Sequence, residues 1–394
     1  MWTPLDALYE SGRVPRFPLR SWAATLLTKL SASGDRPDSP HTFELCMNNA
    51  ALIEVYRGDL RSAHRLCQMQ LRWAARSEAR YGGTTAGVLA VQPWINLGRL
   101  KRLEKDVEGA LAHFSLVVAT LDGAPVRLGP LHLDAEAWQE VVRHRSLLGM
   151  LKAVYLIDSV KTFLGARDEG AALGFLRQAR ERLGGPPSVL LNELELLVLS
   201  RAGRLDEAAS VLERESWGES DYAKLLRVTY RIALRAASGE VDRARRTMEQ
   251  LVARVQAQED FGTPADICIP RYLEYLGTLA GRLELPAAEM PVWRLARQAA
   301  KHLDDMPCRL VCLDALLALE GVAEREELLQ EREALLQECL YVALMRGRGL
   351  GVDRAALADP VFDELHRKLE AIGDAEGKSG PPPEVAVPVA IGAA

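Results

Sequence analysis

A turn motif that recurs along the chain limits most strongly what this sequence can fold into. Each copy starts with a glycine, continues with a charged residue and then Leu or Val, and carries an alanine five positions after the glycine. Glycine is favoured where a helix ends, and a small side chain is favoured where two helices approach closely. The motif therefore predicts pairs of helices that fold back on each other. The complete copies are Gly58-Asp59-Leu60 with Ala63, Gly203-Arg204-Leu205 with Ala208, and Gly239-Glu240-Val241 with Ala244.

Two partial copies extend the pattern, Asp106-Val107 with Ala110 and Asp168 with Ala172. The alanines then stand at positions 63, 110, 172, 208 and 244, with spacings of 47, 62, 36 and 36 residues. The apolar residues around them recur every three or four positions, as in amphipathic helices. The two shorter spacings are typical of a repeated helical hairpin, and the longer ones indicate extended helices or an insertion. Residues 121–135, with two glycines and two prolines, are predicted to be such an insertion.

The most specific pattern lies between residues 94 and 121, with Trp94-x-x-Leu97-Gly98 in a first helix and Ala110-x-x-x-Phe114 in a second. This pattern resembles the consensus of the tetratricopeptide-repeat (TPR) solenoids. Gly98 and Ala110 would sit where the two helices of the hairpin touch. Other second helices keep the pattern with Ala172 and Leu176, Ala208 and Leu212, and Ala244 and Met248, whereas the first helices have Ala51, Val160, Leu196 and Ile232 in place of Gly98.

The resemblance weakens towards the C-terminus. It covers roughly residues 42–255 and extends less clearly to 303. A sixth helical pair has Gly281-Arg282-Leu283 but Pro286 in the alanine position, so we expect the register to be lost there.

The resemblance implies an all-α fold, a right-handed superhelix of TPR-like helical hairpins with an N-terminal leader helix and a C-terminal helical cap. We expect a leader or cap over 1–41 with one helix at Trp22–Leu30, repeats over 42–303, a helical cap over 304–372 and a flexible tail over 373–394. No strand is expected between Thr42 and Val255.

Charge, hydropathy and cysteine usage restrict the partners and the compartment. The 49 basic and 54 acidic residues give a net charge of -5 without a long block of one sign, so we expect no direct nucleic-acid partner. Apolar stretches are too short for a bilayer span, and Asp6 and Glu10 stand where a signal peptide would be basic, so we expect no membrane partner and a cytoplasmic location. The cysteines show no disulfide framework and no CxxC pair, and we interpret them as buried thiols in a reducing compartment. Cys308-x3-Cys312 is interpreted in the same way, without a role of its own.

The first helix of each TPR hairpin lines a concave groove, and the resemblance places ten polar residues on that wall. Among them, Asn96, Arg99 and Arg102 are three apart on one helix, so their donors could converge on a backbone carbonyl or a carboxylate. The alternative is that such side chains only solvate an exposed helical face. The ten residues are Asn48, Asn49, Asn96, Arg99, Arg102, Asp158, Lys161, Glu193, Arg201 and Tyr230.

A metal site is a weaker hypothesis. His132, Glu136, Glu140 and His144 follow one another at spacings of four and would form one stripe of a predicted helix. The stripe drifts by roughly 40° at each step, so only neighbours such as Glu140 and His144 could share an ion, with Asp158 as a further ligand. We expect no metal and no cofactor, and the common nucleotide and hydrolase motifs are absent from the sequence.

The sequence favours a protein- or peptide-binding scaffold, adaptor or regulatory protein that is not an enzyme, and it is compatible with a homo- or hetero-oligomer. One alternative is a helical enzyme whose polar groove performs small-molecule, metal-assisted chemistry. Another is the sensing subunit of a transcription regulator, which would need a different subunit to contact DNA because this chain has no basic helix-turn-helix segment.

Overall fold

The structure is a computed structural model that describes residues 19–32, 40–143, 147–183, 189–214, 221–257, 269–302, 305–319, 321–338 and 359–375. Almost all of these residues are helical, which confirms the predicted all-α class. They form two compact units, one made of residues 20–168 with 359–375 and the other of residues 169–338. None of the helices in the described ranges is both long enough and apolar enough to cross a lipid bilayer.

Within the described residues, the first unit begins with seven helices and one short hairpin of strands. Its long helix α3 is interrupted at Gly82, whose φ of +82° and ψ of 160° are not helical. The elements are α1 (Leu19–Ala32), α2 (Pro40–Arg57), α3 (Leu60–Leu103), α4 (Val107–Phe114), α5 (Leu116–Leu121), β1 (Val126–Leu128), β2 (Leu131–Leu133), α6 (Ala135–Arg143) and α7 (Leu147–Gly165).

The second unit contains nine described helices, and each packs mainly against its neighbours in sequence. They are α8 (Glu169–Leu183), α9 (Val189–Arg201), α10 (Leu205–Leu212), α11 (Asp221–Ala237), α12 (Val241–Ala257), α13 (Ile269–Arg282), α14 (Pro286–His302), α15 (Met306–Ala318) and α16 (Arg325–Glu338).

Helix α17 (Pro360–Ala375) returns to the first unit, where it packs on α2 and α3. Its apolar stripe, Phe362, Leu365, Leu369 and Ile372, is buried. The buried carboxylate of Glu54 lies between Nη1 of Arg57, at 2.8 Å, and Nε2 of His366 on α17, at 3.1 Å. Thus α17 begins in the predicted cap 304–372 and continues as helix over 373–375 of the predicted flexible tail. It belongs to a different unit from residues 305–338. Of the predicted tail, residues 376–394 lie outside the described residues.

Six turns between described helices share one geometry. In each, a residue of positive φ follows the helix, and the next backbone N–H donates to the carbonyl five residues earlier at 2.9–3.1 Å, which satisfies an orphan carbonyl of the helix end. The predicted alanines at 63, 110, 172, 208 and 244 each follow the positive-φ residue by five positions, and all are fully buried. In these six turns the residues of positive φ are Gly58, Lys105, Arg167, Gly203, Gly239 and Glu284.

The sixth turn keeps the backbone geometry of the other five, which was not expected near Pro286, but Glu289 stands where the others have alanine, so the small-residue match is lost as predicted. The positive φ falls at Glu284, three residues after the glycine used for the prediction, and the same backbone bond follows it. In this frame Gly277 precedes Glu284 by seven residues, just as Gly98 precedes Lys105. A Cβ on Gly98 would lie 2.5 Å from Cβ of His113, and one on Gly277 would lie 2.6 Å from Cε2 of Trp293. Both glycines therefore permit close helix contact, as predicted for Gly98.

The expectation of no strand between Thr42 and Val255 is wrong within the predicted insertion. There β1 pairs antiparallel with β2, with Val126 opposite Leu133 and Leu128 opposite Leu131. These four apolar residues alternate with Arg127 and His132 and are buried, and both strands pack on α3. Gly129, with φ +65°, makes the tight turn possible.

Replacement of Gly98 by alanine tests the close approach. We expect Gly98→Ala to lower the free energy of unfolding of the first unit by about 1–3 kcal/mol, because its Cβ would collide with His113 and Phe114. The matched control is Gly149→Ala in α7, where a Cβ meets no atom within 4 Å; it should gain up to about 1 kcal/mol from helix propensity. Chemical denaturation followed by circular dichroism measures both, and equal effects would contradict the packing.

Candidate ligand-binding site

Five of the predicted groove residues come together in the first unit. Asn48 lies on α2, Asn96, Arg99 and Arg102 lie on α3, and Asp158 lies on α7. The spacing of three along α3 places its three side chains on neighbouring parts of one helical face. Because α3 packs against both α2 and α7, that face brings together residues distant in sequence. We call these five residues the polar cluster.

Amide groups connect α2 and α3 at one end of the polar cluster. Nδ2 of Asn96 donates to Oδ1 of Asn48 at 2.6 Å. Oδ1 of Asn96 in turn accepts from Nε2 of Gln92 at 3.1 Å and from Nη1 of Arg99 at 3.2 Å. Asn96 is only 5% exposed, so these bonds satisfy an amide that has lost contact with water.

Asp158 holds the two arginines at the other end. Nε and Nη2 of Arg99 donate to its Oδ2 at 3.1 and 2.9 Å, and Nη1 of Arg102 donates to its Oδ1 at 2.6 Å. Burial alone would raise the pKa of the Asp158 carboxyl, but the charges of Arg99 and Arg102, the hydrogen bond from Arg99 and the charge of Lys161 lower that pKa to about 2. Asp158 is therefore an anion at neutral pH, and it fixes both guanidinium groups.

The two arginines differ in the donors that remain. Arg99 uses Nε, Nη1 and Nη2 within the polar cluster, and its side chain is 16% exposed. Within the described part of the chain, Nε and Nη2 of Arg102 have no hydrogen-bond partner, and this side chain is 22% exposed. Arg99 and Arg102 carry two positive charges against the one negative charge of Asp158. The polar cluster can therefore accept a further anionic group, and Arg102 offers the donors.

The other residues that were predicted to line the groove lie in different surroundings. Asn49 on α2 and Lys161 on α7 are half-buried, and Arg201 is exposed at the end of α9. Glu193 and Tyr230 lie in the second unit, where both are buried and Oη of Tyr230 donates to Oε1 of Glu193 at 3.5 Å. Burial raises the pKa of the Glu193 carboxyl to about 8, despite the hydrogen bond from Tyr230, which lowers it. Glu193 is therefore an interior carboxylic acid at neutral pH.

The predicted helical stripe of metal ligands is wrong at its first residue. His132 is on β2, whereas Glu136 and Glu140 are exposed on α6, and Oε1 of Glu140 accepts from Arg143 at 3.3 Å. His144 lies outside the described residues, and Asp158 is bound by two arginines. In the described ranges, no group of three or more His, Cys, Asp or Glu side chains is placed to hold a metal ion.

Comparison of the chain with protein-family models, with curated proteins and with solved structures finds no match. The resemblance to TPR solenoids therefore stays a prediction that rests on the residues quoted for it. Sequence reasoning did not identify Gln92, whose amide is one of the hydrogen-bonded amide groups at one end of the polar cluster. Its position four residues before Asn96, on the same helical face, is the signal that could have identified it.

The interior Glu193 makes the stability of the second unit depend on pH. Its carboxyl binds a proton more tightly in the folded state, so its favourable contribution is complete below the unfolded pKa near 4.5 and is lost as the pH rises through 8. We expect Glu193→Gln to remove this dependence and to be the more stable protein at pH 9 by more than about 1 kcal/mol.

Denaturation between pH 5 and pH 9 measures this difference. The control is Glu249→Gln, an exposed carboxylate on α12 of the same unit, which should follow the wild type. A wild-type curve parallel to that of Glu193→Gln would show that the carboxyl is ionised in the folded state.

Proposed function

We propose that the protein is a non-enzymatic binding protein whose polar cluster recognises an anionic group of a protein or peptide partner. The observation that carries the proposal is the pair of arginines held by Asp158, of which Arg102 keeps two donors for a ligand. The proposal includes the finer arrangement of the helices as a right-handed superhelix of TPR-like hairpins. The shared geometry of the six turns and the buried alanines that follow five of them support that arrangement.

The chemistry of the polar cluster favours a carboxylate over a cation or an apolar group. A guanidinium presents donors in a plane that matches the two oxygens of a carboxylate, and such charge-assisted bonds are stronger than neutral ones. The excess of positive charge attracts an acidic side chain or the C-terminus of a peptide. Asn48 and Asn49 add amide groups along α2 that suit a peptide backbone.

Asp158 has a positioning role in this proposal. Its carboxylate is buried and bound by both arginines, so it holds them in place before any ligand arrives. Preorganised donors lose less conformational entropy on binding than mobile ones do. An arginine held in this way can therefore bind more tightly than an arginine on a solvated helix.

The alternative of a helical enzyme receives less support. It drew on His132, Glu136, Glu140, His144 and Asp158, and the structure puts His132 on a strand and uses Asp158 for two ion pairs. The sensing subunit of a transcription regulator remains a prediction, and a peptide-binding groove is compatible with it.

Replacement of Arg102 tests the proposal. The probe is an array of acidic peptides, each synthesised with a free and with an amidated C-terminus, because the partner is unidentified. We expect the wild type to select a subset of these peptides and Arg102→Ala to weaken their binding by about 10- to 100-fold, the usual effect of losing a charge-assisted hydrogen bond. The comparison of free with amidated peptides shows whether the C-terminal carboxylate is the group that binds.

The matched control is Arg143→Ala on α6 of the same unit, where the arginine is 73% exposed and should not affect binding. Circular dichroism checks that each variant is folded, and Asp158 keeps its ion pair with Arg99 when Arg102 is removed. Peptide affinities that stay unchanged in both Arg99→Ala and Arg102→Ala would end the proposal.

A further inference from the structure

Three arginines follow one face of α11 in the second unit. Arg227, Arg231 and Arg235 are four residues apart, so they lie one above the other along the helix. Arg227 and Arg231 reach one carboxylate, that of Glu213, the C-cap residue of α10. Nη1 of Arg235 donates to Oγ1 of Thr247 on α12 at 3.1 Å. We call the three arginines the arginine row, and none of them belongs to the polar cluster.

The arginine row has donors that Glu213 does not use. Nη2 of Arg231 donates to Oε1 of Glu213 at 2.9 Å, whereas Nη2 of Arg227 lies 3.5 Å from Oε2. Nε of Arg227 is buried and has no hydrogen-bond partner among the residues that the structure describes. A guanidinium has five N–H donors, and a buried donor without an acceptor is costly, so Glu213 satisfies Arg227 incompletely. Both side chains are 32% exposed, and a ligand can therefore reach them from solvent.

The arginine row carries three positive charges, and Glu213 balances one of them. The hydrogen bond and the charge of Arg231, followed by the charges of Arg227 and Arg235, lower the pKa of the Glu213 carboxyl. All three arginines therefore act on the same place, including Arg235, which is bonded elsewhere. Glu213 is 66% exposed, so its side chain can turn into water when another anion arrives.

Two carboxylates on the helices next to α11 are bonded to other arginines. Glu195 on α9 accepts from Nη2 of Arg180 at 2.7 Å and from Nη1 of Arg214 at 2.6 Å. Glu207 on α10 accepts from Nε and Nη2 of Arg204, both at 2.6 Å. The charges of these carboxylates are already matched, and an excess of two positive charges stays with the arginine row.

This excess suits a phosphoryl group better than a carboxylate. A phosphoryl group on a serine or threonine has a charge of about −1.5 to −2 at neutral pH and three acceptor oxygens, whereas a carboxylate has one charge and two oxygens. Guanidinium groups bind phosphate through paired N–H bonds. We propose that the arginine row binds a phosphoryl group, which Arg227 and Arg231 hold beside Glu213 while Arg235 adds the third positive charge.

The experiment is a calorimetric titration with inorganic phosphate and with acetate, at neutral pH and equal ionic strength. All proteins are full chains that carry Arg102→Ala, so that the anion site proposed in the first unit does not contribute. We expect phosphate to bind about 10-fold more tightly than acetate, because it carries the greater charge. Arg227→Gln and Arg231→Gln should each weaken phosphate binding by at least about 10-fold, the usual effect of losing a charge-assisted hydrogen bond.

Glu213→Gln provides a test of opposite sign. It removes a negative charge beside the ligand, so phosphate should bind about 3- to 10-fold more tightly. A misfolded protein would not bind more tightly, so this result does not depend on how the arginine variants fold. The matched controls are Arg204→Gln and Glu207→Gln, an exposed ion pair of the same unit, and both should leave the phosphate affinity unchanged.

Phosphoserine peptides and their unphosphorylated copies distinguish the two sources of a phosphoryl group. A preference for the phosphorylated copies that Arg231→Gln abolishes identifies a phosphorylated partner, whereas phosphate binding without that preference identifies the free ion, and either result supports the proposal. Phosphate that binds no more tightly than acetate, equal phosphate affinity with and without Arg227→Gln and Arg231→Gln, or no gain in Glu213→Gln would overturn it.

Discussion

The buried carboxylate of Asp158 is the constraint on which the candidate site depends. Burial of an isolated anion is costly, and here Arg99 and Arg102 compensate that cost with three hydrogen bonds. The same bonds tie α7 to α3, and Asn96 continues the connection to Asn48 on α2. Three helices of the first unit are thus joined by polar contacts, and the arginine with donors to spare is held where a ligand could reach it. Loss of Asp158 would therefore affect both the packing of the unit and the proposed binding of an anion.

The turns of the fold could be predicted from the sequence wherever a residue of positive φ is a glycine. Gly58, Gly203 and Gly239 adopt positive φ, and glycine does so at little cost, so these turns were recognised. Lys105, Arg167 and Glu284 adopt the same positive φ, but their residue types do not indicate it in the sequence. Because the turn lies at Glu284, the register expected for the sixth pair was displaced. The hairpin at 126–133 was missed because its glycines and prolines indicated an irregular insertion. Its alternation of apolar and polar residues was the signal of a strand pair.

The sequence predicted which residues form the candidate site better than it predicted the contacts between them. The spacing of Asn96, Arg99 and Arg102 indicates one helical face, and the TPR register brought Asn48 and Asp158 to the same group. No property of the sequence shows that Asp158, more than fifty residues away, ends within hydrogen-bonding distance of both arginines. Glu193 shows the opposite case. The TPR register predicts that it lines the groove, whereas the packing of the second unit buries it. Local spacing determines which residues share a helical face, whereas contacts between helices decide which of them stay accessible.

A double-mutant cycle between Asp158 and Arg99 tests most directly whether the buried carboxylate organises the polar cluster. The free energies of unfolding of the wild type, Asp158→Asn, Arg99→Gln and the double variant are measured at neutral pH. The structure predicts a coupling of about 1–3 kcal/mol between the two side chains. A coupling below about 0.3 kcal/mol would mean that the residues act independently, and it would contradict the account of this site.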